Sequence, residues 1–162
     1  FLAAIAALPE NFDTVICDLP ARPDGLYRTL VPEADKIIVV SMHTAVSIRA
    51  AEKTAIALHE LCTGPKKPDM LLAVNGFWAK SAARGDNAGL YDILSRTKLP
   101  LIGVLPYDGA LSEAQNKGLL AFETPRSAAF RQAVENTARR LDGENVRLFE
   151  GVRTGFSRTK LY

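Results

Sequence analysis

The chain has 162 residues, of which 48% are hydrophobic and 23% are charged, and its formal net charge is +2. This length suits one domain, and the composition is that of a soluble globular protein, not of a disordered chain. A nearly balanced charge argues neither for nor against nucleic acid, because binding depends on where the charge lies. No apolar stretch of the sequence reaches the roughly 18 residues that a membrane-spanning helix needs.

The first third of the chain predicts two helices and two strands. Residues 1–8 are apolar and predict a short buried helix. Residues 13–18 are rich in β-branched side chains and predict a strand. Residues 25–30 form a weak helical pattern. Residues 36–41 are a continuous apolar run, which is typical of a parallel strand buried on both faces.

The rest of the chain continues the alternation of helices and strands. Residues 45–61 carry apolar side chains at helical spacing, so they predict a helix with one buried face. The later predicted elements are a strand at 70–75, a polar loop at 76–87, a helix at 88–96, a strand at 101–106, a short helix at 111–116 and an amphipathic helix at 126–141.

Strands separated by helices indicate βαβ units and a parallel sheet. Right-handed crossovers place helices on both faces of such a sheet, so we predict a three-layer α/β fold. Its domain is expected to cover residues 1–142. Residues 143–162 are expected to form an irregular tail of basic and apolar residues.

The cysteines and histidines favour no metal site. Cys17 and Cys62 lie in apolar runs without CxxC spacing, so we expect both to be reduced core residues. His43 and His59 are too far apart in the sequence to form a local metal-binding motif.

Polar residues follow each predicted strand. They are Asp18, residues 41–44, Asn75 and residues 106–108. Ligands of open α/β sheets bind beyond the carboxyl ends of the strands, so this edge is a candidate nucleotide or cofactor site. An apolar run that closes on Asp18 matches the Walker B pattern, in which the carboxylate holds Mg²⁺. Alternatively, Asp18 caps the following turn, and Asn75 forms a turn with Gly76.

Several short segments, in order along most of the chain, resemble the MinD/ParA-type P-loop ATPases. Residues 12–21 are similar to that superfamily's "yDyiiiDtPa" segment, and residues 99–108 to its "iPllGviPyd" segment. The other similar segments are residues 34–40, 47–51, 71–75, 114–118 and 125–127. The Asp-Leu-Pro sequence that begins at Asp18 most resembles the CpaE/TadZ pilus-assembly branch.

The resemblance implies a P-loop NTPase-like fold and a set of site residues. It places Asp18 near the metal and gives Asn75 the recognition of the nucleotide base. It places Pro106, Tyr107 and Asp108 in the loop beside the adenine. The implied cofactors are ATP and Mg²⁺, bound only in the context of the complete domain.

The sequence departs from the family in one decisive way. It contains no G-x-x-x-x-G-K-[ST] loop, so it has neither the backbone cradle for phosphates nor the loop lysine. We therefore assign no catalytic residue and expect the chain alone to be inactive, whereas its parent protein is expected to be an ATPase. In the family, the strand before the phosphate loop lies between the strands that match residues 13–18 and 36–41. We expect either that the chain is part of a longer protein or that these two strands pair directly; the first is favoured.

Two functions are favoured from the sequence over a third, a metallocluster-maturation ATPase of the same superfamily, which would typically carry extra cysteines. The first is an ATP-dependent homodimer that spatially organises pilus assembly, secretion, cell division or DNA partition, in the cytoplasm or peripherally at the inner membrane. The second is a catalytically inactive scaffold that binds protein partners on the same fold. The basic tail at 145–162 could contact a membrane or dock a partner. The loop with Trp78, Lys80 and Arg84 could contact DNA or protein, or be solvated surface.

Overall fold

A computed structural model describes residues 12–20, 25–120 and 127–148. The helices are α1 (Gly25–Leu30), α2 (Ala45–Leu61), α3 (Ala79–Arg84), α4 (Leu90–Thr97), α5 (Gly109–Asn116) and α6 (Ala128–Leu141), with a 3₁₀ turn at Val31–Glu33. The strands are β1 (Lys36–Met42), β2 (Asp69–Phe77) and β3 (Leu101–Pro106). No helix in these ranges is long and apolar enough to cross a membrane.

The three strands form one parallel sheet in the order β1-β2-β3. Helices lie on both faces of it. Val104 of β3 belongs to the core that α2 and α4 cover, whereas its neighbour Gly103 faces Thr137 of α6. Adjacent residues of a strand point to opposite faces, so α6 lies opposite α2 and α4. The prediction of a three-layer α/β fold with a parallel sheet is confirmed.

The largest part of the core lies between α2 and the sheet. The side chains that recur at helical spacing on α2 are buried, and they pack against Leu72 and Val74, which are inaccessible to solvent. Thr44 begins the helix, because its hydroxyl accepts a hydrogen bond from the backbone N–H of Ser47 at 3.3 Å. The buried residues of this stripe are Ile48, Ala51, Ala55 and Leu58, followed by Cys62.

Helix α6 is attached to β3 and to the residues that follow the helix. The guanidinium of Arg140 donates to the carbonyl of Ile102 at 3.1 Å and to that of Val146 at 2.8 Å. The buried Asn136 amide donates to the carbonyl of Arg147 at 3.1 Å. The first residues of the expected tail, 143–148, therefore pack on α6. The domain boundary at 142 stays a prediction.

The prediction of a strand at residues 13–18 is wrong. No residue of 12–20 lies in a strand, and Ile16 is 88% exposed. A strand forms only beside a hydrogen-bonded neighbour, and β1 pairs with β2 alone in the described ranges. Direct pairing between 13–18 and 36–41 is therefore also wrong. Cys17 is exposed for the same reason, whereas Cys62 is buried as predicted.

The predicted burial of β1 on both faces holds for one face only. Ile38, Val40 and Met42 are 40%, 63% and 50% exposed, and alternate positions of a strand share a face. Val39 and Ser41 point to the opposite face and are buried against the core. On this exposed face of the sheet, α6 packs on β3. None of the described helices covers β1 on this face as α6 covers β3.

The polar loop predicted at 76–87 is partly regular structure. Strand β2 continues to Phe77, and α3 occupies Ala79–Arg84. Gly85 ends α3 with a φ of 79°, a left-handed conformation that favours glycine. The helix predicted at residues 1–8 lies outside the described residues.

Candidate functional site

The ends of the three strands meet at one edge of the sheet. Met42 pairs with Asn75, and Phe77 pairs with Pro106. Asn75 and Pro106 therefore lie together at the carboxyl edge, as the sequence predicted. Asp18 lies on no strand, so its predicted place at a strand end is wrong. Asp18 is exposed and directly precedes Leu19, which packs against the core.

Asn75 has a side chain suited to recognising a polar planar ligand. It is exposed, and within the described part of the chain its amide makes no hydrogen bond. Gly76 follows with a φ of 64° at an irregularity in the pairing of β2 with β3. The turn considered for Asn75 and Gly76 does not form, because both residues lie within β2. The amide NH₂ and carbonyl oxygen of Asn75 remain available to a ligand.

The loop at 106–108 is tied to the end of β2. The backbone N–H of Tyr107 donates to the carbonyl of Phe77 at 2.9 Å. Asp108 caps α5, because its Oδ1 accepts a hydrogen bond from the N–H of Ala110 at 2.9 Å. Asp108 thus has a structural role that the sequence comparison did not reveal. Its contact with a base stays a prediction.

His43 joins the ends of β1 and β2, although the sequence placed it only among the polar residues 41–44 that follow a predicted strand. It is 4% exposed, and its ring lies 5.2 Å from that of Phe77 between centroids. Nε2 accepts a long hydrogen bond of 3.4 Å from the N–H of Trp78. Burial lowers the pKa of His43, and a backbone contact with Ala88 partly opposes this shift. Nδ1 has no well-oriented hydrogen-bond partner in the described part of the chain. The neutral ring is the form that can accept the Trp78 hydrogen bond.

We expect His43 to make the folded state less stable in mild acid. Because its pKa is lowered in the folded state, the unfolded chain takes up a proton first as the pH falls through about 6.5. The contribution of neutral His43 to the free energy of unfolding is fully present above that pH. It declines as the pH falls further, until the pH reaches the lower pKa of His43 in the folded state. Thermal melts of the native chain and of His43→Gln between pH 7.5 and 5 would measure the effect.

The His43→Gln variant keeps an acceptor for Trp78 and does not titrate, so its melting temperature should depend less on pH. His59→Gln is the matched control, since His59 is the other histidine of the chain and is exposed. Equal pH dependence of the native chain and His43→Gln would contradict the assignment.

An aromatic cluster lies where β2 and β3 end. The rings of Trp78 and Tyr107 are 5.8 Å apart between centroids and inclined by 31°. The guanidinium of Arg84 lies 5.6 Å from the centre of the Trp78 ring, within cation–π range. Trp78 and Tyr107 are nevertheless 46% and 59% exposed. The cluster is an ordered aromatic surface at the carboxyl edge of the sheet.

Other features of the edge add no metal ligands. A shallow depression of about 480 Å³ beside the start of α2 contains none of the predicted site residues. It is lined by Ala45, Ala82, Gly85, Asp86, Asn87, Ala88, Gly89 and Asp92. In the described ranges, no group of three or more His, Cys, Asp or Glu residues could hold a metal ion. Coordination of Mg²⁺ by Asp18 stays a prediction.

The parallel sheet between two layers of helices, with polar residues at its strand ends, defines an open α/β protein whose ligand site is expected at the carboxyl edge. No family model matches the chain. The septum site-determining protein MinD of Bacillus subtilis is 31% identical over 144 residues, which is 89% of this chain and 52% of that protein. MinD of Helicobacter pylori is 28% identical over 149 residues, which is 90% of this chain and 55% of that protein.

The fold of this chain is also similar to solved structures of MinD. MinD of Aquifex aeolicus aligns with a TM-score of 0.74 and 27% identity over 91% of this chain and 61% of that one. MinD in the MinC:MinD complex of the same organism aligns with a TM-score of 0.73 and 27% identity, over 91% of this chain and 59% of that one. The chain belongs to the MinD/ParA-type P-loop ATPase superfamily. It spans about half the length of the curated relatives it matches.

Proposed function

We propose that this chain is the base-binding portion of a MinD/ParA-like ATPase that spatially organises cell division. The position of Asn75 at the carboxyl edge supports a role for its amide in contacting the nucleotide base, with Pro106, Tyr107 and Asp108 beside it. The observation that carries the proposal is the pairing of Met42 with Asn75 and of Phe77 with Pro106, which gathers these residues at one edge. ATP with Mg²⁺ is the proposed cofactor of the complete domain, with Asp18 near the metal.

Cell division is favoured over pilus assembly and DNA partition by the names of the relatives, which are septum site-determining proteins. One structural relative was solved as a MinC:MinD complex, which supports a protein partner for this chain as well. We further propose a homodimer in the cytoplasm, peripherally associated with the inner membrane. The CpaE/TadZ branch and contact with DNA are less supported alternatives.

A catalytically inactive scaffold is the second candidate, and a sequence observation favours it. The glycine that the family usually has after the Walker B segment is replaced here, because residues 21–24 read Ala-Arg-Pro-Asp and Gly25 comes late. A scaffold on the same fold would bind protein partners without needing Asn75. The two candidates therefore differ in whether the carboxyl edge of the sheet binds a nucleoside.

Nucleoside binding to the 162-residue chain tests the proposal. An asparagine amide can form two hydrogen bonds with adenine, through its N6 amino group and a ring nitrogen. We expect saturation-transfer NMR to show adenosine binding more tightly than guanosine. Asn75→Ala should remove this preference, with a loss of about fivefold or more in adenosine affinity, as for one or two lost hydrogen bonds.

Asn116→Ala, at the exposed end of α5, is the matched control and should bind adenosine unchanged. If the native chain binds adenosine and guanosine equally, or if Asn75→Ala keeps the preference, base recognition by Asn75 is excluded and the scaffold is favoured.

A further inference from the structure

We propose that His43 is a pH-sensitive switch for the segment formed by residues 78–88. Its neutral ring holds the start of this segment, which contains α3, and one added proton releases that start while the sheet stays folded. The inference goes beyond the proposed function, since it needs no nucleotide and concerns a residue outside the proposed base site.

The segment is fastened to His43 at both of its ends. The N–H of Trp78 donates to Nε2 of the His43 ring at 3.4 Å, and the N–H of Ala88 donates to the backbone carbonyl of His43 at 3.2 Å. Only the ring titrates, because a backbone carbonyl remains an acceptor at any ordinary pH. Protonation of the ring therefore frees one end of the segment and leaves the other end attached.

Contacts within the segment allow it to move as one unit. The N–H of Ser81 donates to the carbonyl of Trp78, and the N–H of Asp86 donates to the carbonyl of Ser81. The amide of Asn87 donates to the hydroxyl of Ser81 at 2.6 Å. The guanidinium of Arg84 lies 5.6 Å from the centre of the Trp78 ring. None of these contacts depends on the protonation of His43.

Small side chains attach the segment to the rest of the domain. Ser81 is the buried residue of α3, and Ala79 and Ala82 contact the core while staying partly exposed. The large ring of Trp78 is 46% exposed. Hydrophobic stabilisation scales with the apolar area removed from water, so these residues contribute little of it. The hydrogen bond to His43 is therefore a large part of what holds the start of α3.

A second proton on the ring replaces the acceptor with a donor. Because Nε2 accepts the hydrogen bond from Trp78, the neutral ring carries its hydrogen on Nδ1, and proton uptake adds a hydrogen to Nε2. Two N–H groups then face each other, and their hydrogen bond is lost. The added charge is also buried, since His43 is 4% exposed, and an unpaired buried charge is costly. Moving the start of α3 away admits water to Nε2 and relieves both effects.

The surroundings of the ring favour its neutral form. Phe77 packs on it at the end of β2, and the first turn of α2 contains no acidic residue. The side chains on the neighbouring elements that can carry charge are Lys80, Arg84, Asp86, Asp92, Tyr107 and Asp108. Each of the three carboxylates already has a partner: Asp86 pairs with a guanidinium at 3.4 Å, whereas Asp92 and Asp108 cap their own helices.

Fluorescence of the 162-residue chain tests the switch, because Trp78 is its single tryptophan. We expect the emission to shift to longer wavelength, and quenching by acrylamide to increase, in one step with a midpoint below pH 6.5, the ordinary pKa of histidine. Far-UV circular dichroism should keep its neutral-pH value through this step, since the sheet stays folded. The hydrogen-exchange protection of the Trp78 amide should fall in the same step, whereas that of the Ala88 amide should persist.

Variants assign the step to one ring. His43→Gln keeps an acceptor for Trp78 and does not titrate, so the step should disappear. His59→Gln removes the exposed histidine, and Asp86→Asn removes the carboxylate that pairs with Arg84, so both controls should keep the step. If His43→Gln does not fold, NMR titration of the His43 ring in the native chain must give the same midpoint as the fluorescence.

Four results would each overturn the switch. They are the absence of a fluorescence step between about pH 7.5 and 4.5, a step that persists in His43→Gln, a midpoint that differs from that of the His43 ring, and loss of the circular dichroism signal in the same step. The last result would show that the whole domain unfolds, so that the segment does not open by itself.

Discussion

Replacing Gly103 with alanine is expected to lower the free energy of unfolding by about 3 kcal/mol, the upper end of the usual range for overpacked sites. A Cβ atom at this position would lie 2.1 Å from Oγ1 of Thr137 and 2.9 Å from its Cγ2. Thr137 is held in place because its hydroxyl donates to the carbonyl of Ala133 at 2.7 Å. The new methyl group would therefore push α6 away from β3. Chemical denaturation followed by circular dichroism measures the change.

A matched control and a rescue make this result specific. Gly64→Ala adds the same methyl group where nothing lies within 4 Å, so it should change stability little. Thr137→Ala removes the two closest atoms and leaves a Cβ at 3.0 Å, so it should recover part of the loss in the double variant. A Gly103→Ala variant as stable as Gly64→Ala would show that α6 does not pack on β3 as described.

The 162-residue polypeptide is expected to release no phosphate from ATP above background. It has no loop whose backbone N–H groups could hold the phosphates, and no lysine to stabilise the transferred group. Phosphate release from the purified chain, with and without Mg²⁺, measures this. Release that Asp18→Ala abolishes would contradict the expectation and would place a catalytic centre on the chain itself.

The complementary experiment joins this chain to the part of the Bacillus subtilis relative that the match does not cover. We expect the fusion to hydrolyse ATP. The resemblance to MinD/ParA-type ATPases implies a phosphate loop in that part, and replacing the lysine of this loop with alanine should lower the rate about 100-fold or more, as for other groups that stabilise developing charge. An inactive but folded fusion would favour the scaffold. Hydrogen exchange of the β1 backbone amides that point away from β2 should slow in the fusion if a strand pairs there.

The sequence was sufficient for the elements whose pattern is local. The stripe from Ile48 to Leu58 predicted the buried face of α2, because helical periodicity depends only on which side chains recur along one segment. The apolar run of β3 predicted a strand with the observed bounds, Leu101–Pro106. The strand ends with Asn75 and Pro106 were predicted to share one edge, since all parallel strands end on the same side.

Features that depend on contacts between distant residues were decided by the tertiary structure. Residues 13–18 have the composition of a strand, but they lie outside the sheet because a strand needs a hydrogen-bonded neighbour. His43 became the acceptor for Trp78 because the ends of β1 and β2 are adjacent, although the two residues are far apart in the chain. The approach of Thr137 to Gly103 likewise arises from helix packing on the sheet, and no local pattern encodes that distance.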